Sequence, residues 1–159
     1  MIKHSLSSSC AALLLGALTL AAAGAADAKG ARPPYVLVPA GSAKFAPLDP
    51  RAPHGAQLAV VSGDLKAGPV SVLLKLPKGA EPVHWHTSDY TAVLVEGSAK
   101  HWLPGHEADA VANPPGTAWF QPGGSAATVH GDECVSDSCT VFVYLPRGMD
   151  FTPVAPAKP

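Results

Sequence analysis

Charged side chains are scarce in this sequence, 14% of its 159 residues against about 25% in an average domain. With 11 Lys and Arg against 12 Asp and Glu, the formal net charge is -1. That balance offers no basic footprint for nucleic acid and no acidic tail for a basic partner. Helical patterning is missing too: no segment sustains apolar residues at spacings of three and four between a cap and a stop, which predicts little helix. There is no GxSxG elbow and no glycine-rich loop opening a helix, so the sequence marks of a serine hydrolase and of a phosphate-binding loop are absent. Past residue 28 no long apolar run occurs, and the mature chain is expected to have no membrane segment. Cysteine is limited to Cys10, Cys134 and Cys139, without a CxxC pair or a basic neighbour to lower a thiol pKa.

What is present begins with a leader. Lys3, an apolar run starting near Cys10 and the small tripeptide Ala26-Asp27-Ala28 form the three-part layout of a secretory signal. The apolar core is about a dozen residues, short of the roughly 20 that span a bilayer. Residues 1–28 therefore read as a cleaved signal peptide, with a periplasmic or secreted product. About 130 residues remain, the size of one domain with a real core. Residues 29–34 and 153–159, rich in Ala and Pro with Gly or Lys, read as flexible ends, leaving 35–152 as the domain. In an oxidising compartment Cys134 and Cys139 are expected to form a structural disulfide across a hairpin, with two free thiols as the alternative.

Within the domain, short apolar and β-branched runs at 35–38, 58–62, 70–76, 91–95, 98–103, 117–121, 126–130 and 140–145 are separated by Gly and Pro. Several alternate with period two, and about eight short strands in one domain imply an all-β sandwich, jelly roll or barrel.

Chemistry concentrates at His84-Trp85-His86. In an extended strand residues two apart share a face, so His84 and His86 can converge on one ion while Trp85 points away. Imidazole suits Zn, Cu, Fe and Ni, and two or three such ligands leave a position open for water or substrate. Asp64, Glu81, Glu96, Asp132 and Glu133 lie scattered near turns with no spacing that announces an acid/base pair. Trp85, Trp102, Trp119 and Phe120 read as core or pocket wall, His101 as a buried residue bonded to backbone, and His54 and His106 as loop residues.

The surroundings of this pair resemble the cupin superfamily. Its first motif, a Gly, an HxH pair, a Glu and a further Gly, is matched by Gly79, His84, His86 and Gly97, with one residue fewer than usual after Gly79. Its second, a Gly followed by PxG and a His, is matched by Gly116, Pro122 and Gly124. The stretch HWHTSDYTAVLVEG is similar to small bacterial cupins of the ChrR type. The resemblance implies a single-domain jelly-roll β-barrel with little helix, one divalent transition metal (Fe, Zn, Mn, Ni or Cu), a small-molecule ligand or substrate, and pairing of two copies through edge strands. Two positions depart from the pattern. Tyr90 stands where the Glu is expected, and it is left as a metal ligand, a hydrogen-bond partner of the metal's water, or packing. Ala127 stands where the second-motif His is expected, and His130, three residues on, reaches inward only if a bulge or extra loop precedes it. The metal set is thus His84, His86 and His130. Glutamate-free three-histidine cupin sites resemble those of certain dioxygenases, which implies an oxidoreductase on a small chelating or anionic substrate. A non-catalytic module that binds or senses a metal or ligand is the alternative.

Overall fold

The computed structural model of the protein describes residues 34–154, all within one compact unit that starts at Pro33. The leader at 1–28 and nearly all of the two flexible ends lie outside the described residues. Nine strands follow in order: β1 (Ala46–Pro47), β2 (Gln57–Gly63), β3 (Val70–Ala80), β4 (His84–Trp85), β5 (Tyr90–Glu96), β6 (Ala99–Trp102), β7 (Ala118–Gln121), β8 (Gly131–Leu145) and β9 (Thr152–Pro153). Helix among the described residues is confined to two 3-10 turns, at Glu107–Asp109 and Ala126–Thr128. None of it is long and apolar enough to cross a membrane.

The main sheet runs β1-β2-β3-β8-β5-β7, with β6 also paired to β8, and β4 and β9 form a second sheet of two strands. The ladders between named strands are antiparallel. The sheets are not joined into a closed hydrogen-bonded barrel among the described residues; the all-β architecture holds, and the closure is open.

Period two dictates the core. Leu58 of β2, Val70, Val72 and Leu76 of β3, Tyr90, Ala92 and Leu94 of β5, and Cys134, Cys139, Val141, Val143 and Leu145 of β8 form the buried set; most follow from alternate residues of a strand sharing one face. Burying that face supplies most of the driving force for folding. It also fixes register, since a one-residue slip of β5 would turn Tyr90 outward and bring Asp89 in. Asp89 instead faces solvent, where it meets Arg147 at 2.6 Å.

Strand β8 is longer than its apolar residues suggest. Its upper part, Cys139 to Leu145, lies between β3 and β5, and its lower part, Gly131 to Cys134, lies between β3 and β6. Between the two the ladder jumps, with Pro77 opposite Ser138 but Gly79 opposite Cys134. The residues between bulge out of the sheet, and a disulfide joins Cys134 to Cys139 with their Cα atoms 5.7 Å apart. The bridge therefore closes a bulge inside one strand and does not staple the two arms of a hairpin. Gly97 sits against this bulge at φ 88°, and a Cβ there would lie 2.4 Å from the Ser138 carbonyl oxygen, so no other residue fits without moving backbone.

Two expected strands do not form. Residues 35–38 pair with nothing and Tyr35 is 87% exposed; apolar composition makes a strand only where a partner and a face to bury exist. Residues 126–128 are a 3-10 turn, because Ser125 Oγ accepts from Ala127 N at 3.2 Å and Thr128 Oγ1 donates to Ser125 O at 2.7 Å. At the other end Pro153 opposes His84, and Val154 N donates to Val83 O at 2.8 Å.

A cavity of about 540 Å³ opens between the sheets. Leu74 and Leu76 of β3, Ala92 of β5, Trp119 of β7, and Val141, Val143 and Leu145 of β8 wall it, while Leu48 to Ala56 and Met149 to Phe151 line its sides.

Candidate metal centre

Local hydrogen bonding brings three imidazoles to one point. His84 N donates to His130 O at 3.0 Å and His130 N donates back to His84 O at 2.9 Å. The two residues thus form an antiparallel pair, and side chains of such a pair stand side by side on one face. His86, two residues from His84, completes the group, and all three are buried. Ligand atoms of the three rings lie within 4.8 Å of one another. The displaced His130 is brought into line by the 3-10 turn at Ala126–Thr128, which takes up the extra residues before it.

Each ring is also oriented. Nδ1 of His84 donates to Pro82 O at 2.8 Å, Nδ1 of His130 donates to Thr128 O at 3.3 Å, and Nδ1 of His86 donates to Asp150 O. With the proton held at Nδ1, Nε2 carries the lone pair. Such backbone anchoring is how metal-ligating histidines are held in one tautomer. Burial, the largest influence, lowers the His130 pKa from 6.5 to about 4, against the opposing charge of Asp132. Burial lowers His84 as well. Both rings are therefore neutral near pH 7, the form a metal requires. Buried, neutral, pre-oriented nitrogens facing one another fit a borderline divalent cation.

Around the trio, several residues take up positions that the sequence does not announce. Tyr90 points inward and its hydroxyl meets His130 Nε2 at 3.1 Å. Burial, followed by the charge of Asp132, raises the phenol well above its ordinary pKa, with the nearby Trp119 indole acting weakly the other way. The phenol is thus a proton donor at neutral pH. The Trp119 Nε1–H itself is buried without a hydrogen-bond partner. Asp132 places Oδ2 at 3.7 Å from His84 Nε2 and 3.8 Å from His130 Nε2, while Oδ1 meets His101 Nδ1 at 2.7 Å. His101 is not a ligand, yet its partners are side chains and not backbone, because its other nitrogen faces Gln121 Oε1 at 3.1 Å. Period two from His130 puts Asp132 on the same face, and that is the signal that could have found it. Asp150 and Phe151 carried no such signal. Thr87 N donates to the Asp150 carboxylate at 3.0 Å, and Phe151 stacks on His84 with ring centroids 4.3 Å apart, both across more than sixty residues of chain. His54 and His106 lie exposed in loops. Trp119 walls the cavity, but Phe120 is 62% exposed, since alternation on β7 turns it outward.

No family model matches this sequence, and no curated protein matches it. Solved structures do. The polyketide cyclase RemF of Streptomyces resistomycificus superposes with a TM-score of 0.58 at 20% identity, covering 79% of this chain and 87% of that one. An RmlC-like cupin from Shewanella frigidimarina gives 0.53 at 16% identity, covering 72% and 93%. The chain has the cupin fold. KdgF from a Halomonas species is a further structural neighbour, at a TM-score of 0.52 and 21% identity over 72% of this chain and 95% of that one. On this fold the HxH pair and the displaced His130 come together as three histidines that could hold a metal ion. The position of the usual motif Glu is occupied by a phenol bonded to one of those histidines.

Proposed function

We propose that the protein is an exported cupin enzyme that holds one divalent transition metal on His84, His86 and His130. Its substrate in this reading is a small molecule with an oxygen-donor head and an apolar body. The observation that carries it is the convergence of three buried, backbone-anchored imidazoles, two of which, His84 and His86, line a largely apolar cavity. Export is supported by the signal-like leader and by the Cys134–Cys139 bridge, which suits an oxidising compartment.

When bound, a metal such as Zn supplies Lewis acidity there, and Fe(II) supplies oxygen chemistry. The chain's own residues do the rest. Leu74, Val141, Val143 and Met149 receive the apolar body and exclude water. Tyr90, kept protonated by burial, holds a hydrogen-bond donor beside the nitrogens. Trp119 adds an aromatic wall to the cavity beside Tyr90. Glu81 also faces the cavity, its pKa raised by burial and then by Asp132, so it can hold a proton nearer neutrality than an ordinary carboxyl. The neighbour RemF, named as a polyketide cyclase, supports an enzymatic role.

The test is turnover by metal-loaded protein purified without an affinity tag. Samples loaded with Fe(II), Zn, Mn, Ni or Cu are presented with phenols, dicarbonyls and carboxylates of increasing apolar size, following oxygen uptake and product mass. Metal-dependent consumption of at least one class is expected, faster for members that fill the cavity. Stoichiometric metal uptake with saturable ligand binding and no product from any class would instead make the protein a binding module.

A further inference from the structure

The three imidazoles are neutral ligands, and the glutamate that would bring an anion to them is replaced by Tyr90. We propose that Asp132 is the anionic fourth ligand of the metal centre, delivered from β8 in place of the missing glutamate of β5. This inference rests on the three-histidine reading above.

Strand geometry makes the placement specific. Asp132 lies two residues after His130, as His86 lies two residues after His84, so the two segments that pair at His84 and His130 each contribute a pair of donors. One carboxylate oxygen, Oδ2, is nearly equidistant from two of the ligand nitrogens, 3.7 Å from His84 Nε2 and 3.8 Å from His130 Nε2. Ligand atoms bound about 2.0–2.2 Å from one ion lie about 3.0–3.5 Å apart in octahedral or tetrahedral sites. Toward His84 and His130, Oδ2 needs to close by only a few tenths of an ångström; Asp132 stands outside the set of three whose donor atoms all lie within 4.8 Å of one another, so it must move further to meet His86. Among the described residues no hydrogen-bond donor reaches Oδ2.

The other oxygen is tied down. His101 stands directly across the β6–β8 ladder from Asp132 and meets Oδ1 at 2.7 Å. His101 in turn bonds Gln121 Oε1 at 3.1 Å, and the Gln121 amide donates to Thr128 O at 2.9 Å and Pro122 O at 3.3 Å, which fixes which end of the amide faces His101. A chain of two side chains, His101 and Gln121, thus holds the carboxylate with one oxygen fixed and the other aimed at the histidines. Orientation of a ligating carboxylate by a hydrogen-bonded outer partner is the usual support of such sites. Electrostatics agrees with the geometry. A doubly charged cation among neutral imidazoles attracts a buried carboxylate at this range far more strongly than it would in water.

The test compares wild type with Asp132→Asn and His101→Gln, using affinity for Co(II) by competition with a chromophoric chelator and the visible spectrum of the Co(II) form. Asp132→Asn is expected to weaken binding at least about 10-fold and to shift the Co(II) bands; His101→Gln, which only loosens the carboxylate, is expected to weaken it by a smaller factor. Unchanged affinity and an unchanged spectrum for Asp132→Asn would overturn the proposal and leave Asp132 as a partner of His101 alone. The underlying reading fails separately, if wild-type protein takes up no metal or if His84→Ala leaves uptake intact. Should Asp132→Asn fail to fold, infrared difference spectra of wild-type protein labelled at aspartate carboxyl carbons decide the matter. A shift of one carboxylate stretch on Zn(II) addition is expected, and no shift would overturn the proposal.

Discussion

His130→Ala protein is expected to bind its divalent metal at least about 100-fold more weakly than wild type, since loss of an outer partner alone costs a site about 10–100-fold. The position matters because His130 does two things at once. In the proposed metal centre its side chain supplies one of three donor nitrogens, and its backbone pairs with that of His84 to set the spacing of the site. Alanine keeps the backbone pair and removes the nitrogen, so the loss reports coordination and not collapse of β4. Tyr90 also loses its partner at 3.1 Å, although its hydroxyl can then take water in the vacated space. Competition with a chromophoric chelator measures the change. His106→Ala, at an exposed loop position, is the control and should bind as wild type does.

Metal-free protein is expected to lose about 3 kcal/mol of stability as pH falls from 6.5 to about 4, through His130 alone. Burial holds the folded-state pKa of His130 at about 4, whereas the unfolded chain titrates near 6.5. Between those values the unfolded state takes up a proton that the folded state refuses, so stability declines as pH drops and the loss is complete below the lower value. His84, also lowered by burial, acts in the same direction. Urea denaturation at pH 7 and pH 4.5 measures the slope. His130→Gln, which cannot titrate, should flatten it, and a slope equal to wild type in that variant would place the acid sensitivity elsewhere. With metal bound the decline should be steeper, because protons then compete directly with the ion for nitrogen.

Much of this architecture can be read from residues alone, and the reasons are local. The alternation of β3 and β5 is written in Val70, Val72, Leu76, Ala92 and Leu94, so their inward face is legible. The HxH pair reads directly because period two needs only three residues. Strand β8 is different: Asp132, Glu133, Ser136 and Asp137 break its apolar pattern, so a strand of 15 residues shows only its upper half to inspection. Polar residues persist there because Asp132 faces the site, Glu133 pairs with Lys100 across the β6–β8 ladder, and Ser136 and Asp137 ride the bulge. The turn at Ala126–Thr128 was hidden for the opposite reason, since Ala-Ala-Thr-Val looks extended until Ser125 and Thr128 close it.

The site follows the same division. His84, His86 and His130 were within reach of spacing and motif, and Tyr90 was visible as an anomaly at the glutamate position. Asp132 was legible in principle, two residues after His130, but only once that segment is known to be a strand. Asp150 and Phe151 were not legible at all, because they meet His86 and His84 through chain reversal over the length of β5 to β8. Contacts of that range are set by tertiary packing, which no local pattern encodes.

X-ray absorption at the edge of the bound metal tests the central claim most directly, because imidazole rings scatter in a recognisable multiple-scattering pattern. The account predicts three imidazole nitrogens at about 2.0–2.2 Å in wild-type protein and two in His130→Ala. A first shell without imidazole scattering, or one that is the same in both proteins, would contradict it.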